Sequence, residues 1–369
     1  MPRIVIAPDS FKGSTFNVDV ATWIRLGWKS VRPNDVVIEK PMADGGEGTV
    51  ETIAQNRDDV EKFTISVVGA DGGSNRATWL LFDNGSAVVE LASASGITLV
   101  KELDALGSHT YGLGQVLQEV SKHPEVTKIF IALGGSASTD GGTGALRALG
   151  FSFLDELGDE LSLGGAGLVD LAEIDTSNFI KPPRGGVVCL VDVSNPLLGH
   201  NGAAAVFGPQ KGATPEDIQE LESGLARFVE VCGVPDSPGS GAAGGTAYGF
   251  RAAWGATFAA GSAIVSEMVG LPQEMEKADL VITGEGQLDS QSWNGKVVGY
   301  VRSLAGALDK PVAYVVGNAT IDFPDDAFLG LSLTSMSGSK EEAMASTGEW
   351  LFAAGKELAE QYSLSLLSS

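Results

Sequence analysis

The chain alternates short apolar runs with segments of helical periodicity, and the order of these elements predicts an α/β fold. At the N-terminus the pattern predicts a strand at Arg3–Ala7, a helix at Asn17–Trp28 with Asn17 as its N-cap, a strand at Val36–Met42 and a helix at Thr49–Gln55. This β–α–β–α order is typical of the start of a parallel sheet.

The pattern changes in the middle of the chain. Short apolar runs at Phe63–Val68, Arg76–Phe82 and Ser86–Leu91 are separated by glycine turns, among them Asn84-Gly85, and predict an antiparallel meander. The elements predicted after it are a helix at Tyr111–Lys122, a strand at Lys128–Leu133, a helix at Gly144–Leu149, a strand at Val187–Val191 and an amphipathic helix at Pro215–Val231 capped by Thr214.

The β–α alternation returns towards the C-terminus. It predicts a strand at Leu280–Thr283, a helix at Val297–Leu308, strands at Val312–Val316 and Phe328–Leu333, and a final helix at Lys340–Gln361. The strands of the two chain ends match a flavodoxin-like, doubly wound parallel sheet. We therefore assign residues 1–60 plus 275–369 to a discontinuous flavodoxin-like domain, and residues 61–274 to an inserted α/β domain that contains the meander.

Composition narrows the function classes. The 369 residues suit two domains, and 24 Lys and Arg against 47 Asp and Glu give a net charge of −23, which argues against nucleic-acid and anionic membrane partners. The two cysteines do not form the spacing pattern of a disulfide framework. The sequence shows neither a signal peptide nor an apolar run long enough to span a bilayer. These features predict a cytoplasmic protein with reduced thiols.

Polar or glycine-rich motifs follow four of the strands predicted for the two chain ends. They are Asp9-Ser10, the Asp44–Glu47 turn, Gly284-Glu285 and Gly317-Asn318. Ligands of open parallel sheets bind beyond the carboxyl ends of the strands, so we expect these motifs to meet at one place. The stretch Ala278–Lys296 concentrates the pattern, because a strand leads into glycines, carboxylates and a lysine, as phosphate and metal chemistry requires.

The middle of the chain carries similar turns. Gly134–Gly142 follows a strand and precedes a helix, Asp192 ends another strand, and Lys211 stands between glycines. Gly239–Gly244 spells G-x-G-x-x-G but follows a loop, which argues against a dinucleotide site, and the sequence has no P-loop or protein-kinase signature.

Together the motifs resemble the bacterial-type (type 1) glycerate kinase family. The matching motifs are IAPDSFKGS at Ile6–Ser14, PMADGGEGT at Pro41–Thr49, ALGGSASTDGGTG at Ala132–Gly144, NPLLGHNGAA at Asn195–Ala204, FGPQKGA at Phe207–Ala213, GSGAAGG at Gly239–Gly245 and ITGEGQLD at Ile282–Asp289. The resemblance implies ATP-dependent, Mg²⁺-dependent phosphorylation of D-glycerate, usually at the 2-hydroxyl. It also implies a flavodoxin-like domain and a restriction-endonuclease-like domain. Thr139 and Val298 depart from the family pattern.

We assign roles within these motifs as a hypothesis for in-line phosphoryl transfer. The catalytic candidates are Asp9, Lys12, Asp192 and Asp289. The substrate- and nucleotide-binding candidates are Ser10, Ser14, Gly45, Gly46, Gly135, Ser136, Asp140, Lys211, Gly284, Gly286, Gln287 and Lys296. The Mg²⁺ candidates are Asp44, Glu47, Glu285 and Asp289. Because the motifs come from both domains, the hypothesis includes a cleft that closes on the substrate.

Other functions remain open at this point. The chain could be a kinase of another small hydroxy acid, a non-catalytic acidic metabolite-binding protein or a Mg²⁺-dependent phosphatase. All of these have small molecules as partners. The sequence leaves open the oligomeric state, for which a homodimer is one option, and the choice between 2- and 3-phosphoglycerate as product.

Overall fold

The computed structural model describes residues 1–293 and 295–368 and contains two compact units. The first unit consists of Met1–Asp44 and Ser262–Ser369, and the second consists of Gly45–Gly261. The chain passes from the first unit to the second after Asp44 and returns after Gly261. Both points lie earlier in the chain than the domain boundaries expected from the sequence.

Short strands alternate with helices along the chain. The strands are β1 Arg3–Ile6, β2 Val36–Glu39, β3 Val60–Val68, β4 Ser74–Phe82, β5 Ser86–Glu90, β6 Lys128–Ala132, β7 Ser152–Leu154, β8 Glu173–Asp175, β9 Val187–Leu190, β10 Thr257–Ala259, β11 Leu280–Thr283, β12 Gln287–Leu288, β13 Val312–Val316, β14 Asn318–Ala319 and β15 Leu329–Ser332. The α-helices are α1 Asn17–Val31, α2 Thr49–Asn56, α3 Leu91–Ser95, α4 Tyr111–Lys122, α5 Thr143–Ala148, α6 Ala203–Phe207, α7 Pro215–Cys232, α8 Thr246–Trp254, α9 Gly261–Val269, α10 Leu271–Met275, α11 Val297–Ala307, α12 Leu333–Ser337, α13 Lys340–Ala345 and α14 Thr347–Ser368. Single 3₁₀ turns lie at Ile97–Leu99, Ala166–Asp170 and Pro209–Lys211.

The first unit is built on a parallel sheet with the strand order β15-β13-β11-β1-β2. Ile4 of β1 pairs with Leu280 on one side and with Val37 on the other, so the two ends of the chain share one sheet. Every residue of β11 and β13 is buried, which explains why these strands appear in the sequence as continuous apolar runs. The parallel sheet expected from the chain ends is confirmed.

Helices α1 and α14 pack against each other at very short range. A Cβ atom on Gly27 would lie 2.0 Å from the Phe352 carbonyl oxygen, and a Cβ atom on Gly355 would lie 2.2 Å from that of Ile24. Glycine at both positions therefore lets the two backbones meet, and any side chain there would force the helices apart.

Two details at the helix ends correct the sequence expectations. The N-cap of α1 is Phe16, while Asn17 is the first helical residue and its side-chain amide donates to the Met42 carbonyl. The expected helix at Lys340–Gln361 is divided into α13 and α14, which meet at Ser346. By contrast, the Thr214 cap of α7 is confirmed and includes a capping box with Asp217.

The second unit contains a mixed sheet with the order β10-β9-β6-β5-β4-β3. Strands β3, β4 and β5 form the expected antiparallel meander, while β5, β6, β9 and β10 run parallel. Gly85 turns the β4–β5 hairpin with a φ of +79°, as expected from the Asn84-Gly85 pair. The carboxyl ends of its parallel strands thus lie at one edge of this sheet.

Helix α2 explains why the second unit begins earlier than expected. The buried carboxylate of Glu90, at the end of β5, accepts hydrogen bonds from Gly48 N at 3.1 Å and Val50 N at 2.9 Å. A carboxylate at a helix N-terminus satisfies free N–H groups and opposes the helix dipole favourably. These contacts attach α2 to the second unit, although its sequence continues the β–α alternation of the first.

Within the described residues, no helix is both long enough and apolar enough to cross a membrane.

Candidate active site

A cavity of about 280 Å³ lies in the first unit, at the carboxyl ends of its parallel strands. Its lining comes from the loops after β1, β2, β11 and β13 and from the C-terminal helices. The sequence-predicted site residues that line it are Asp9, Ser10, Lys12, Ser14, Asp44, Glu285, Gly286, Gln287, Asp289 and Lys296. The structure therefore brings together motifs from both ends of the chain.

Backbone hydrogen bonds hold the loops of the neighbouring strands together at this cavity. Asp9 N donates to the Gly284 carbonyl at 2.8 Å, and Gly317 N donates to the Glu285 carbonyl at 3.0 Å. Gly284 has no room for a side chain, because a Cβ atom would lie 1.7 Å from the Val315 carbonyl oxygen. Glycine at this position thus allows Glu285 to follow β11 directly into the cavity.

Asp9 is a buried carboxyl group in this cavity. Burial raises the pKa of Asp9 to about 7, the negative charge of Asp44 adds to the rise, and the Ser10 N–H, which donates to Asp9 Oδ1 at 2.7 Å, opposes it. Asp9 is therefore close to half-protonated at neutral pH in the free protein.

Glu285 is also held with few partners. Burial raises the pKa of Glu285 as well, while Lys296 Nζ lies 3.9 Å from its Oε2 atom. Its Oε1 atom is buried and has no hydrogen-bond partner among the described residues. A buried carboxylate oxygen without a donor is costly, so this position favours the binding of a cation or a donor group from a ligand.

Three lysines line the same cavity: Lys12, Lys296 and the exposed Lys340 at the start of α13. Lys12 is exposed on a turn closed by the Phe11 N to Thr15 O hydrogen bond, and Lys296 is the N-cap residue of α11. Gly286 lies beside the Lys12 turn, where a Cβ atom would be 3.3 Å from Lys12 N. Cationic side chains and accessible backbone next to carboxylates suit a ligand that combines phosphate groups with a metal ion.

Asp289 reaches the cavity from the loop between β12 and α11. Its Oδ1 atom accepts a hydrogen bond from Gln291 N at 2.8 Å, and its own N–H donates to Ser292 Oγ at 2.9 Å. The half-buried Asp289 is therefore fixed by its own loop.

The donor set fits a magnesium ion that is shared with a ligand. In the described part of the chain, no group of three or more His, Cys, Asp and Glu side chains is arranged to hold a metal ion by itself. Mg²⁺ bound with nucleotides usually keeps several waters and uses one or two carboxylates plus phosphate oxygens. The unpartnered oxygen of Glu285, close to Asp9 and Asp44, is suited to such a partial site.

The remaining candidates lie in the second unit, and two of them are enclosed within it. Lys211 is buried, its Nζ contacts the Ser138 carbonyl and Thr139 Oγ1, and burial lowers the pKa of Lys211 to about 8. Asp140 is fully buried and accepts hydrogen bonds from Thr110 N, Thr110 Oγ1, Gly142 N and Gly144 N. In this geometry both residues organise the loops around them.

The other second-unit candidates lie near the ends of its parallel strands. Ser136 Oγ is 3.1 Å from Ser138 Oγ, and Gly134 N donates to the Gly45 carbonyl at 3.2 Å. Asp192 Oδ1 accepts from Gly261 N at 2.7 Å. This set consists of Gly45, Gly46, the exposed Glu47, Gly135, Ser136 and Asp192. That these residues act together with the Asp9 cavity stays a prediction.

Sequence reasoning missed one side of the cavity. The cavity is also lined by residues of α12, α13 and the start of α14, namely Leu333, Thr334, Lys340, Ala343, Met344 and Thr347. Leu333 was expected to end a strand, and residues 340–347 were expected to begin one continuous helix. In the structure Ser339 caps the separate helix α13, because its side chain accepts a hydrogen bond from Glu342 N. Nothing in the apolar pattern distinguishes these residues from a helix that packs on the core.

Comparisons with known proteins agree with the motifs. The pattern of the Glycerate kinase family matches residues 4–363. The glycerate 2-kinase of Escherichia coli (strain K12) is 39% identical over 330 residues, which cover 87% of this chain and 86% of that protein. A glycerate kinase of Bacillus subtilis (strain 168) is 38% identical over 334 residues, with coverage of 87% and 86%.

The fold is also similar to a solved structure. The crystal structure of a candidate glycerate kinase 2 from Salmonella typhimurium LT2 superposes with a TM-score of 0.84 at 34% identity and covers 99% of each chain. The family pattern and the relatives extend over most of the sequence, and the parallel sheets and the cavity are consistent with them. The chain belongs to the glycerate kinase family and is a kinase.

Proposed function

We propose that the chain transfers the γ-phosphate of ATP to the 2-hydroxyl of D-glycerate in a Mg²⁺-dependent reaction that gives 2-phosphoglycerate. The observation that supports this most is the first-unit cavity, where Asp9, Asp44 and Glu285 meet Lys12 and Lys296 at the carboxyl edge of a parallel sheet. Phosphoryl transfer requires mainly positioning and the neutralisation of charge, and these residue types supply both.

Lys12 and Lys296 would bind phosphate groups. Lys12 and Lys296 would neutralise phosphate oxygens, while the backbone at Gly286 and the hydroxyls of Ser10 and Ser14 add hydrogen-bonding groups at the same cavity. Gln287 and Gly284 would support this loop. The role of Glu285 then follows from its distance of 3.9 Å to Lys296, which keeps the carboxylate and the phosphate-binding cation side by side.

Asp44, Glu285 and Asp289 would hold the Mg²⁺ ion. When bound, the ion neutralises charge on the phosphate oxygens and orients them. Burial raises the pKa of Glu285, and the negative charge of Asp44 adds to the raised pKa of Asp9, so a bound cation would stabilise the ionised forms of these groups. Without a cation, these groups disfavour one another's ionised forms.

Asp9 would orient the glycerate hydroxyl and accept its proton. Its Oδ1 atom is fixed by the Ser10 N–H, which leaves Oδ2 as the atom for the proton. A carboxyl group whose pKa is about 7 is well matched to proton transfer at neutral pH.

The proposal includes finer assignments that came from the sequence. The order β2-β1-β11-β13-β15 follows the 2-1-3-4-5 pattern of flavodoxin-like sheets, which supports that classification for the first unit. The second unit would be the restriction-endonuclease-like domain. It would contribute Asp192 to orient the glycerate hydroxyl or accept its proton, Glu47 as a metal ligand, and Gly45, Gly46, Gly135 and Ser136 as binding residues. The buried Asp140 and Lys211 would support the loops that carry these residues. The two free cysteines are consistent with a cytoplasmic location.

Phosphorus NMR of the product tests the proposal directly. The purified chain with ATP, Mg²⁺ and D-glycerate should give ADP and the resonance of 2-phosphoglycerate, and addition of EDTA should abolish both. The 3-phosphoglycerate resonance would overturn the regiochemistry. Consumption of ATP without an acceptor would indicate a phosphatase, and faster turnover of another small hydroxy acid would replace glycerate as the substrate.

A further inference from the structure

We propose that the cavity of the first unit binds the base and sugar of the donor nucleotide on one particular side, the apolar wall formed by Leu333, Ala343 and Met344. This inference rests on the proposed function and extends it, because it assigns the nucleoside end of the donor to residues that the sequence motifs do not contain.

The apolar wall differs in chemistry from the rest of the cavity. Leu333 and Ala343 are buried and belong to the hydrophobic core, so the wall is rigidly supported from behind. Met344 lines the same cavity and is 47% exposed, so its thioether is accessible to a ligand. The wall therefore presents apolar surface that a ligand can cover.

Hydrogen bonds connect the apolar wall to both parts of the phosphate-binding region. Thr347 Oγ1, at the start of α14, forms a hydrogen bond of 3.2 Å with Ser14 Oγ and so joins the wall to the Lys12 turn. Thr334 Oγ1 donates to the Gly317 carbonyl at 2.9 Å, and Gly317 N in turn donates to the Glu285 carbonyl. A ligand whose phosphates lie between Lys12 and Glu285 thus has the wall beside it.

The two threonine hydroxyls are already used inside the protein. Thr334 bonds to Gly317, and Thr347 bonds to Ala343 O at 2.8 Å as well as to Ser14. With these hydroxyls engaged, the segment offers a ligand the thioether of Met344 and, one helical turn earlier, the ammonium group of Lys340. The thioether suits an aromatic ring, since thioethers pack favourably against aromatic systems.

The two substrates differ in what they can bury there. Each carbon of glycerate carries oxygen, so glycerate gains little from an apolar surface, whereas a nucleobase offers a large ring face. The apolar wall therefore fits the nucleoside of the donor, and the end of the cavity that carries the carboxylates, Lys12 and Lys296 fits its phosphates. In this arrangement the first unit binds the donor along its whole length.

The test compares two probes that share phosphates and differ in the nucleoside. Calorimetric titrations with ADP and with inorganic tripolyphosphate, both in Mg²⁺ and without glycerate, are carried out on the wild type and on Met344→Ala. Removing the thioether should weaken ADP binding about four- to fifteenfold, the loss expected for one or two buried methylene equivalents. Tripolyphosphate binding should stay within twofold. Leu366→Ala, in the same unit, is the matched control because Leu366 is 48% exposed.

Ala343→Leu provides a second variant, which adds volume instead of removing it. Ala343 is buried against the core, so the larger side chain should displace Met344 and its neighbours and weaken ADP binding more than tripolyphosphate binding. Equal losses for both probes, or unchanged ADP binding in both variants, would overturn the inference. Because these titrations need no turnover, a chain that binds ADP through Met344 but does not phosphorylate glycerate would refute the proposed function and still support the apolar wall.

Discussion

Replacing Asp9 by Asn should stabilise the metal-free protein at pH 8, although it removes a proposed catalytic group. Asp9 is buried beside Asp44, and its pKa is raised to about 7, whereas an aspartate in an unfolded chain has a pKa of about 3.9. The folded protein therefore holds a proton that the unfolded chain releases, and stability is lost as the pH rises from about 4 to about 7.

The size of the effect follows from the difference between the two pKa values. Each pKa unit corresponds to about 1.4 kcal/mol, so ionised Asp9 destabilises the fold at pH 8 by at most about 4 kcal/mol, and coupling to Asp44 makes about 2–4 kcal/mol a reasonable range. Asn keeps the Oδ1 acceptor for the Ser10 N–H and removes the charge.

Thermal unfolding in EDTA at pH 4.5 and pH 8 measures this difference. For a unit of this size, 1 kcal/mol changes the Tm by about 2–4 °C, so Asp9→Asn should unfold at least about 4 °C above the wild type at pH 8 and close to it at pH 4.5. Asp175→Asn is the control and should give no gain, because Asp175 has its pKa lowered by hydrogen bonds from the Ser177 side chain and backbone. An Asp9→Asn protein no more stable than the wild type at pH 8 would refute the electrostatic argument.

Three further changes test other parts of the structure. Lys296→Met should raise the KM for ATP at least about tenfold and leave the KM for glycerate within about twofold, because Lys296 is assigned to phosphate and not to the acceptor. Initial-rate kinetics measure both values, and similar changes in the two KM values would contradict the assignment. Asp192→Asn should lower kcat by about two orders of magnitude with an unchanged circular dichroism spectrum, and near-normal turnover would remove Asp192 from the catalytic set. Gly27→Ala should lower the free energy of unfolding by about 3 kcal/mol or more, because its Cβ atom would lie 2.0 Å from the Phe352 carbonyl oxygen; the exposed Gly306, with no atom within 4 Å of its Cβ position, is the control and Gly306→Ala should show no such loss in urea unfolding.

The sequence was informative wherever burial dictates a pattern. Strands β11 and β13 are covered on both faces and appear in the sequence as continuous apolar runs. The first and last residues predicted for each strand agree with the structure. The meander was predictable from its turn chemistry, since Asn84-Gly85 favours a tight hairpin. The gathering of Asp9, Asp44 and Glu285 was predictable because carboxyl ends of parallel strands share one edge of a sheet.

What the sequence did not predict depends on contacts between distant residues. Helix α2 belongs to the second unit because Glu90 holds its first turn, a contact that no local pattern encodes. The break between α13 and α14 accompanies the Thr347 bond to Ser14, more than three hundred residues away in the chain. The apolar wall of the cavity was missed for the same reason. In the sequence Met344 follows an ordinary helical pattern, and only the folded structure places it at the cavity.

The cavity combines features that oppose the stability of the free protein with features that favour a ligand. Burial raises the pKa values of Asp9 and Glu285, and one oxygen of Glu285 lacks a donor among the described residues, although Lys296, Lys12 and the Ser10 N–H are close by. A core selected for stability alone would replace such carboxylates with apolar side chains of similar volume. Their retention at the edge of an otherwise apolar sheet is explained if a cation and phosphates complete the set, because each group that destabilises the free protein then gains a partner. The same reasoning links the stability of Asp9→Asn to its loss of function: the charge that weakens the free fold is the charge proposed to take part in the reaction.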